Sequence, residues 1–356
     1  MPLSTSSFNQ PDAPPRGFSR GTWLLFALTA LLLIGVELVS GVGFNRISRI
    51  QRRTLNDLAE ARSLRPAPSG QPASALFTGN SLFLRGVDVP RFREKLGGRA
   101  RTTMLPIEST GYYDFYYGLE HLFRQGMRPQ FVVLCMGTTF MTSSTIRGEY
   151  SAYYLFDSQG IVEYVRKTRT HPTEASGLLF AHYSAFYGGR KEMRSYLLFR
   201  LIPGMFEMTS RLIVRHIDPP SDPEVERIFE PRLRALRELS EKYGAKFVYV
   251  IVPCMQKGED AVIEAGRRAG VPVLLPVRNF ALTPDYYTDG FHLGAEGAAI
   301  FTDALAKSFS QLIDSGSSAD KAAAGQEHAA SSAPQALTTS SPSRTPEKRP
   351  SASPRH

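Results

Sequence analysis

Cysteine is scarce in this chain. Its 356 residues include only Cys135 and Cys254, each at the end of a strand-like apolar run, "FVVLCMG" and "FVYVIVPC". Two cysteines exclude a disulfide-stabilised scaffold, and these two lack the spacing of metal ligands. We expect both thiols to be buried, and the sequence leaves open whether they pair.

Patterns for metal, nucleotide and nucleic-acid binding are also missing. The histidines at 121, 171, 182 and 216 are scattered without a carboxylate or cysteine partner at ligand spacing, so the sequence predicts no metal site. It contains no glycine-rich loop that would cradle a phosphate, and we expect no cofactor. The net charge of +9 is spread along the chain, without a zinc knuckle, a helix-turn-helix signature or an aromatic-basic RNA motif. We therefore expect no nucleic-acid binding and interpret the charge as attraction to an anionic membrane or polymer.

One long apolar run is present near the N-terminus. It reads "TWLLFALTALLLIGVELVSGVGF" over residues 22–44 and follows a polar, proline-rich tail at 1–21. The run is long enough to cross about 30 Å of hydrocarbon, and Glu37 is its only ionisable residue. No clear small-residue cleavage site follows, which favours an uncleaved transmembrane anchor over a removed signal peptide. Residues 45–74 are predicted to form a juxtamembrane helix, over "TLNDLAEARSL" from Thr54, and a linker.

The arginines around this run bear on its orientation. Two arginines precede the run, and a larger cluster follows it at Arg46, Arg49, Arg52 and Arg53. Because the cytoplasmic flank of a membrane helix carries the excess of Lys and Arg, charge alone predicts a cytoplasmic main domain.

Residues 75–313 alternate short strands with helices. The strand-like segments are "ALFTGNS", "RTTMLPIEST", "QFVVLCMG", "KFVYVIVPC" and "PVLLPV". This alternation predicts an α/β domain whose parallel sheet is covered by helices on both faces. Residues of about 141–220 interrupt it and are predicted to be a helical insertion, either a core hairpin with solvated arginines or a membrane-surface or lid element. Beyond residue 313 the sequence consists mainly of Ser, Ala, Pro and Thr, which predicts a disordered tail over 314–356.

The carboxyl ends of the strands supply the candidate functional residues. The first strand ends in Gly79-Asn80-Ser81, where the Ser suits a nucleophile on a tight turn but also an ordinary helix cap. The fifth strand leads to Asp289 and His292 in "YTDGFHLGAEGAAIF". These two residues are either polar groups at a helix start or a general base with the carboxylate that orients it.

Two further strand ends carry small or hydroxyl residues. The second, "PIESTGYYDF", contains Gly111, and the third, "CMGTTFM", contains Thr138 and Thr139 after Gly137. A glycine at such a place either supplies a backbone donor to an oxyanion or simply turns the chain.

In this order, the four blocks resemble the SGNH (GDSL-like) hydrolase superfamily over roughly residues 75–312. The blocks are the Gly-x-Ser turn, the glycine after the second strand, Gly-x-Thr after the third, and Asp-x-x-His before the last helix. The resemblance implies a three-layer, flavodoxin-like fold with Ser81 as nucleophile, His292 as general base and Asp289 as its orienting carboxylate.

The same resemblance implies an oxyanion hole. Its donors would be the backbone N–H groups of Ser81 and Gly111, together with a side chain of the third block. This chain departs from the family in that block, because Thr138 or Thr139 stands where an Asn is usual. It also has Asn80 in place of the usual Asp before the nucleophile.

The apolar anchor followed by such a domain looks like membrane-anchored members associated with acylation of cell-wall or exported polysaccharides, including alginate O-acetylation proteins. This implies a serine esterase or O-acyltransferase acting on an envelope glycan or similar ester, with envelope proteins as partners. The resemblance and the Ser/Pro/Thr tail favour a periplasmic domain, against the arginine signal. The altered third block leaves a second function open, that of an inactive component of a polysaccharide-export assembly. The aromatic residues of 112–117 and 150–156 would either stack on sugar rings or pack the core.

Overall fold

A computed structural model describes residues 19–68, 70–138, 140–205, 208 and 220–331 of the chain, with side chains as far as residue 315. The chain divides into two units, Met1–Ser310 and Gln311–His356, and the sheet, the site and the N-terminal apolar helix described below belong to the first. Most of the predicted polar tail at 1–21, the end of the predicted insertion and residues 332–356 lie outside the described residues.

The centre of the first unit is a parallel sheet of five strands. The strands are β1 (Ala73–Gly79), β2 (Ala100–Pro106), β3 (Phe131–Met136), β4 (Lys246–Ile251) and β5 (Val273–Leu274). Their order is β2-β1-β3-β4-β5, and all four pairings are parallel. This is the flavodoxin-like order, so the predicted fold class is confirmed. The order reverses between β1 and β3, which makes their carboxyl ends the place where such folds bind ligands.

Helices connect the strands and cover both faces of the sheet. After β1 come α4 (Ser81–Gly86) and α5 (Val89–Leu96), and after β2 comes α6 (Tyr112–Arg124). The later helices are α11 (Asp222–Lys242), α12 (Glu259–Ala269) and α13 (Ala295–Ser331).

Alternate residues of β1 show how the two faces are filled. Leu76 belongs to a large apolar cluster that also includes Phe123 of α6 and Phe229 of α11. Its neighbour Phe77 points to the opposite face, where its ring packs edge-on against Phe92 at 5.0 Å and Phe309 at 4.9 Å. Burial on both faces explains why the strands are continuous apolar runs.

The predicted insertion is helical. It contains α7 (Glu149–Tyr154), α8 (Ser158–Thr168), α9 (Pro172–Tyr183) and α10 (Ala185–Leu201). Apolar residues of α7, α8 and the inner side of α9 join the main core, whereas the only buried residues of α10 are Gly188 and Gly189. The insertion is thus a core element at its beginning and a surface element at α10.

The N-terminal apolar run forms α1 (Arg20–Leu38) and continues through a π-helical segment (Val39–Phe44) into α2 (Asn45–Ile47). The stretch Arg20–Ile47 is long and apolar enough to cross a membrane by length and composition. Leu24 and Leu32 are 62% and 67% exposed, which distinguishes this helix from a core helix of a soluble protein.

The helix predicted to follow the apolar run is α3 (Arg49–Ser63), which begins five residues before the predicted Thr54. The hydroxyl of Ser48 caps it by accepting from the Gln51 N–H, a signal that lies within the arginine cluster. At the other end of the chain, α13 continues to Ser331, so the boundary predicted at residue 313 falls inside this helix. Ala is frequent between residues 319 and 330, and it is the best helix former.

Candidate functional site

The turn after β1 presents Ser81 at the carboxyl edge of the sheet. A Cβ at Gly79 would lie 2.1 Å from the Cys135 carbonyl oxygen, so only glycine allows β1 to pass this close to β3. Asn80 then ends the strand and caps α4, its Oδ1 accepting from the Leu82 N–H at 3.0 Å. Ser81 is the first residue of α4, where the N–H group has no acceptor within its own helix.

A second tight turn, over residues 287–293, presents Asp289 and His292. Residues Tyr287 and Leu293 form an isolated antiparallel bridge, and the Thr288 N–H donates to the His292 carbonyl at 2.9 Å. Gly290 has φ +71°, a left-handed conformation that favours glycine, which explains the Asp-Gly pair in the sequence.

The carboxylate of Asp289 holds this turn from within. Its Oδ1 accepts from the backbone N–H groups of His292 at 2.7 Å and Phe291 at 3.1 Å. Its Oδ2 is therefore directed at the imidazole of His292, 2.8 Å from Nδ1. The three-residue spacing thus serves both the turn and the ring contact.

The structure brings Ser81, His292 and Asp289 together in one chain of hydrogen bonds. Nε2 of His292 lies 3.0 Å from the Ser81 Oγ, across 211 residues of sequence. An ionised carboxylate only accepts, so the 2.8 Å contact requires Nδ1 to carry a proton. In the neutral ring Nε2 is then the acceptor for the Ser81 hydroxyl.

The side chains of His292 and Asp289 differ in exposure. His292 is 7% exposed, whereas the side chain of Asp289 is 49% exposed. Burial alone would raise the pKa of Asp289, but the hydrogen bonds from the backbone and ring of His292 outweigh it and hold the pKa below its usual value. Asp289 is therefore a carboxylate at neutral pH.

Aromatic rings border the imidazole. The ring of Phe291 meets that of His292 edge-on, with centroids 5.2 Å apart, and Phe140 lies 5.7 Å from Phe291. Phe140 belongs to the segment that follows β3, so this segment and the 287–293 turn together shield one side of His292 from water.

The N–H group of Gly111 is already bonded. It donates to Oδ2 of Asp114 at 2.7 Å, a contact that competes with the oxyanion role implied by the resemblance. Asp114 is buried and also accepts from the Arg147 N–H at 3.0 Å and from the Ser151 hydroxyl. Burial raises the pKa of Asp114 to about 6 in spite of these donors. The carboxylate thus ties the start of α6 to the loop before α7.

The hydroxyl of Thr138 also has a hydrogen-bond partner already. Its side chain is buried, and its hydroxyl donates to the Lys257 carbonyl at 3.1 Å. A hydroxyl has one proton to donate, so this contact competes with donation to an oxyanion. Thr139 lies outside the described residues. The remaining predicted donor among the described residues is the Ser81 N–H. Because it is the first N–H group of α4, it has no acceptor within that helix.

Sequence reasoning missed two amides near this edge. Nδ2 of Asn80 and Nδ2 of Asn279 are buried and have no hydrogen-bond partner in the part of the chain that the structure describes. Oδ1 of Asn279 accepts from the Cys254 N–H at 3.0 Å, which holds this residue beside the end of β4. Buried donors without a partner are rare in native proteins. The only sequence feature that drew attention to either residue was the position of Asn80 directly before Ser81.

Cys135 and Cys254 are free and buried. Burial raises the pKa of the Cys254 thiol to about 12 and that of Cys135 well above its usual value, so neither is a reactive thiolate. Among the described residues, no group of three or more His, Cys, Asp or Glu side chains is placed to hold a metal ion. The aromatic residues Tyr112, Tyr117 and Tyr154 are buried in the core, which favours packing over sugar stacking.

Comparisons with known proteins add little to this geometry. No family model matches the chain. No curated protein matches it in sequence. Among solved structures, it is similar to a protein from Streptococcus pneumonia that is provisionally described as a platelet activating factor, at 14% identity over 81% of this chain and 99% of that one. The TM-score is 0.27, too low for this likeness to carry an argument.

Proposed function

We propose that this protein is a membrane-anchored serine enzyme of the SGNH type that transfers acyl groups from esters through Ser81, His292 and Asp289. The observation that carries the proposal is the continuous hydrogen-bond chain, with 3.0 Å between Ser81 Oγ and His292 Nε2 and 2.8 Å between His292 Nδ1 and Asp289 Oδ2. Nucleophile and base at these distances, with the base oriented by a third group, are the signature of an activated serine.

The proposed reaction proceeds in two halves. Ser81 Oγ attacks the acyl carbonyl carbon while His292 Nε2 takes the hydroxyl proton, and the resulting imidazolium is stabilised by Asp289. The imidazolium then gives its proton to the departing alcohol oxygen, which leaves an acyl ester on Ser81. In the second half, His292 removes a proton from water or from a sugar hydroxyl, and that oxygen attacks the acyl carbon. The bond from the acyl group to Ser81 Oγ then breaks, and the imidazolium returns the proton to Ser81 Oγ.

Oxyanion stabilisation is the weakest part of this site. The Ser81 N–H is a donor at the start of α4, whereas the Gly111 N–H and the Thr138 hydroxyl are bonded to Asp114 and Lys257. Loss of one donor costs about 3–4 kcal/mol of transition-state stabilisation, or roughly 10²–10³ in rate. We therefore expect acylation of Ser81 to be detectable but turnover to be slow.

These two bonded donors favour a second candidate function. In this alternative the chain retains the fold but serves as an inactive component of an envelope or polysaccharide-export assembly. Full biological activity of a Ser81→Ala variant would support the alternative, and loss of that activity would support the enzyme.

Release of 4-nitrophenol from 4-nitrophenyl acetate by the full-length protein in detergent tests the proposal. Ser81→Ala should abolish enzymatic release, whereas Ser158→Ala should not change it. Ser158 is a matched control because it is also the first residue of a helix, capped by Asp157 as Ser81 is capped by Asn80. Added oligosaccharides that increase nitrophenol release and become acetylated would identify a transferase, whereas acetate as the sole acyl product would identify an esterase. Equal release by wild type and Ser81→Ala would refute the proposal.

A further inference from the structure

Glu37, the one ionisable residue of the 22–44 run, is bound by the insertion. Its Oε1 accepts from the Ser184 hydroxyl, and its Oε2 accepts from the N–H groups of Ala185 at 2.8 Å and Phe186 at 3.4 Å. These donors form the N-terminus of α10, where the helix dipole also favours a negative charge. The apolar run therefore carries a carboxylate for which the insertion supplies the hydrogen bonds.

The position of Glu37 in the apolar run indicates how deep the start of α10 would lie in a bilayer. It lies seven residues before Phe44, the end of the predicted span. At 1.5 Å per residue this is about 10 Å along the helix axis. If the span crosses the bilayer, the start of α10 lies roughly that far inside its end, which is the depth reached by amphipathic helices that lie in the membrane interface.

The surface of the insertion at this depth is apolar and exposed. The end of α9 and the start of α10 form a corner over residues 179–186, which we call the α9–α10 corner. It carries Phe180, Tyr183 and Phe186, which are 60%, 76% and 45% exposed. Large apolar side chains grouped on a protein surface mark an interaction site rather than ordinary surface variation.

The same apolar character continues along α10 beside the anchor. A cleft of about 820 Å³ lies between α1 and α10, lined by Leu31, Leu32 and Val36 on one side and by Phe186, Met193 and Leu197 on the other. The exposed Arg194 stands in the same stripe of α10. A helix with apolar residues and arginines on neighbouring positions suits the boundary between acyl chains and headgroups.

From these contacts we infer that the α9–α10 corner is embedded in the lipid leaflet that surrounds the end of the anchor, and that acyl chains fill the cleft between α1 and α10. The occupant is lipid because one wall of the cleft is the membrane-spanning helix itself. The corner then gives the domain a second attachment, and the Glu37 contact fixes the orientation of the whole domain relative to the membrane surface. This inference does not depend on the proposed chemistry.

Lipid-depth quenching in the full-length protein tests the inference. Tyr183→Cys is labelled with an environment-sensitive fluorophore, and the protein is reconstituted into phosphatidylcholine vesicles with and without brominated acyl chains. The native thiols are buried, so they leave little background. Ile300→Cys is the matched control, since Ile300 is an exposed apolar residue of α13. Trp23, the only tryptophan, reports whether the anchor itself is in the bilayer.

We expect brominated lipid to quench both Trp23 and the label at residue 183, and aqueous iodide to quench that label severalfold less than the label at residue 300. Glu37→Leu should weaken the lipid quenching at residue 183, whereas Glu37→Gln, which keeps an acceptor oxygen, should retain most of it. Quenching of Trp23 without quenching at residue 183 would overturn the inference. Absence of lipid quenching at Trp23 would also overturn it, because the anchor would then not be in the bilayer.

Discussion

Asp289→Asn is the substitution that separates the orienting role of the carboxylate from its structural role. The amide keeps an oxygen in place of Oδ1, so the bonds from the N–H groups of Phe291 and His292 are retained. Its NH₂ group replaces Oδ2 and can no longer accept from Nδ1 of His292. The imidazole is then driven to the tautomer with a proton on Nε2, which cannot accept the proton of Ser81.

The size of the effect follows from the exposure of Asp289. Two unit charges about 4 Å apart interact by about 1 kcal/mol in water and by about 4 kcal/mol at the effective dielectric near a protein surface. Because the Asp289 side chain is 49% exposed, its stabilisation of the imidazolium is partly screened. These limits correspond to a loss of about 5-fold to 10³-fold in the acylation rate, less than the roughly 10⁴-fold loss known for the serine protease triad, whose Asp is buried.

The assay is the second-order rate of Ser81 labelling by a fluorophosphonate between pH 5 and 9. We expect Asp289→Asn to lower this rate across the range while the melting temperature changes little. Asp289→Ala is the comparison variant, and it should also lower the melting temperature because both backbone N–H groups lose their acceptor. A labelling rate within twofold of wild type for Asp289→Asn would refute the orienting role.

Three further predictions concern the surroundings of the site. Gly79→Ala should destabilise the protein by more than about 1–3 kcal/mol in urea unfolding, because the Cβ would lie 2.1 Å from the Cys135 carbonyl oxygen. Gly111→Ala should fold and react with the fluorophosphonate like wild type, since φ of Gly111 is −125° and a Cβ there would lie no closer than 3.4 Å to any neighbour. A large loss of labelling would contradict this expectation. Asp114, with its pKa raised from 3.8 to about 6, binds more protons in the folded state between these values, so the free energy of unfolding should fall as pH rises through this range. The fall is at most about 3 kcal/mol and should be absent from Asp114→Asn; equal pH slopes in both proteins would contradict it.

The sheet and the 287–293 turn were predictable because their signals are local. Each strand is a continuous apolar run, and Asp289 and His292 flank a glycine that takes the left-handed conformation the turn needs. The contact between His292 and Ser81 spans 211 residues, yet it followed from parallel topology, which places the carboxyl ends of the strands together.

The contacts that occupy the expected oxyanion donors could not be predicted, since they depend on where particular atoms point. The Gly111 N–H is taken by Asp114 three residues later, a helix-capping contact that the sequence allowed but did not require. The hydroxyl of Thr138 is turned by the Lys257 carbonyl, 119 residues away. The contact between Glu37 and Ser184 spans 147 residues and joins two segments that no sequence pattern relates.

Covalent labelling of Ser81 by a fluorophosphonate, read by peptide mass spectrometry on the full-length protein, tests the central claim most directly. The structure predicts a single adduct on Ser81, absent from Ser81→Ala, strongly slowed in His292→Ala and unchanged in Ser158→Ala. The heat-denatured protein should not react. No adduct on Ser81, or an adduct that forms equally fast in His292→Ala, would contradict the proposed serine chemistry.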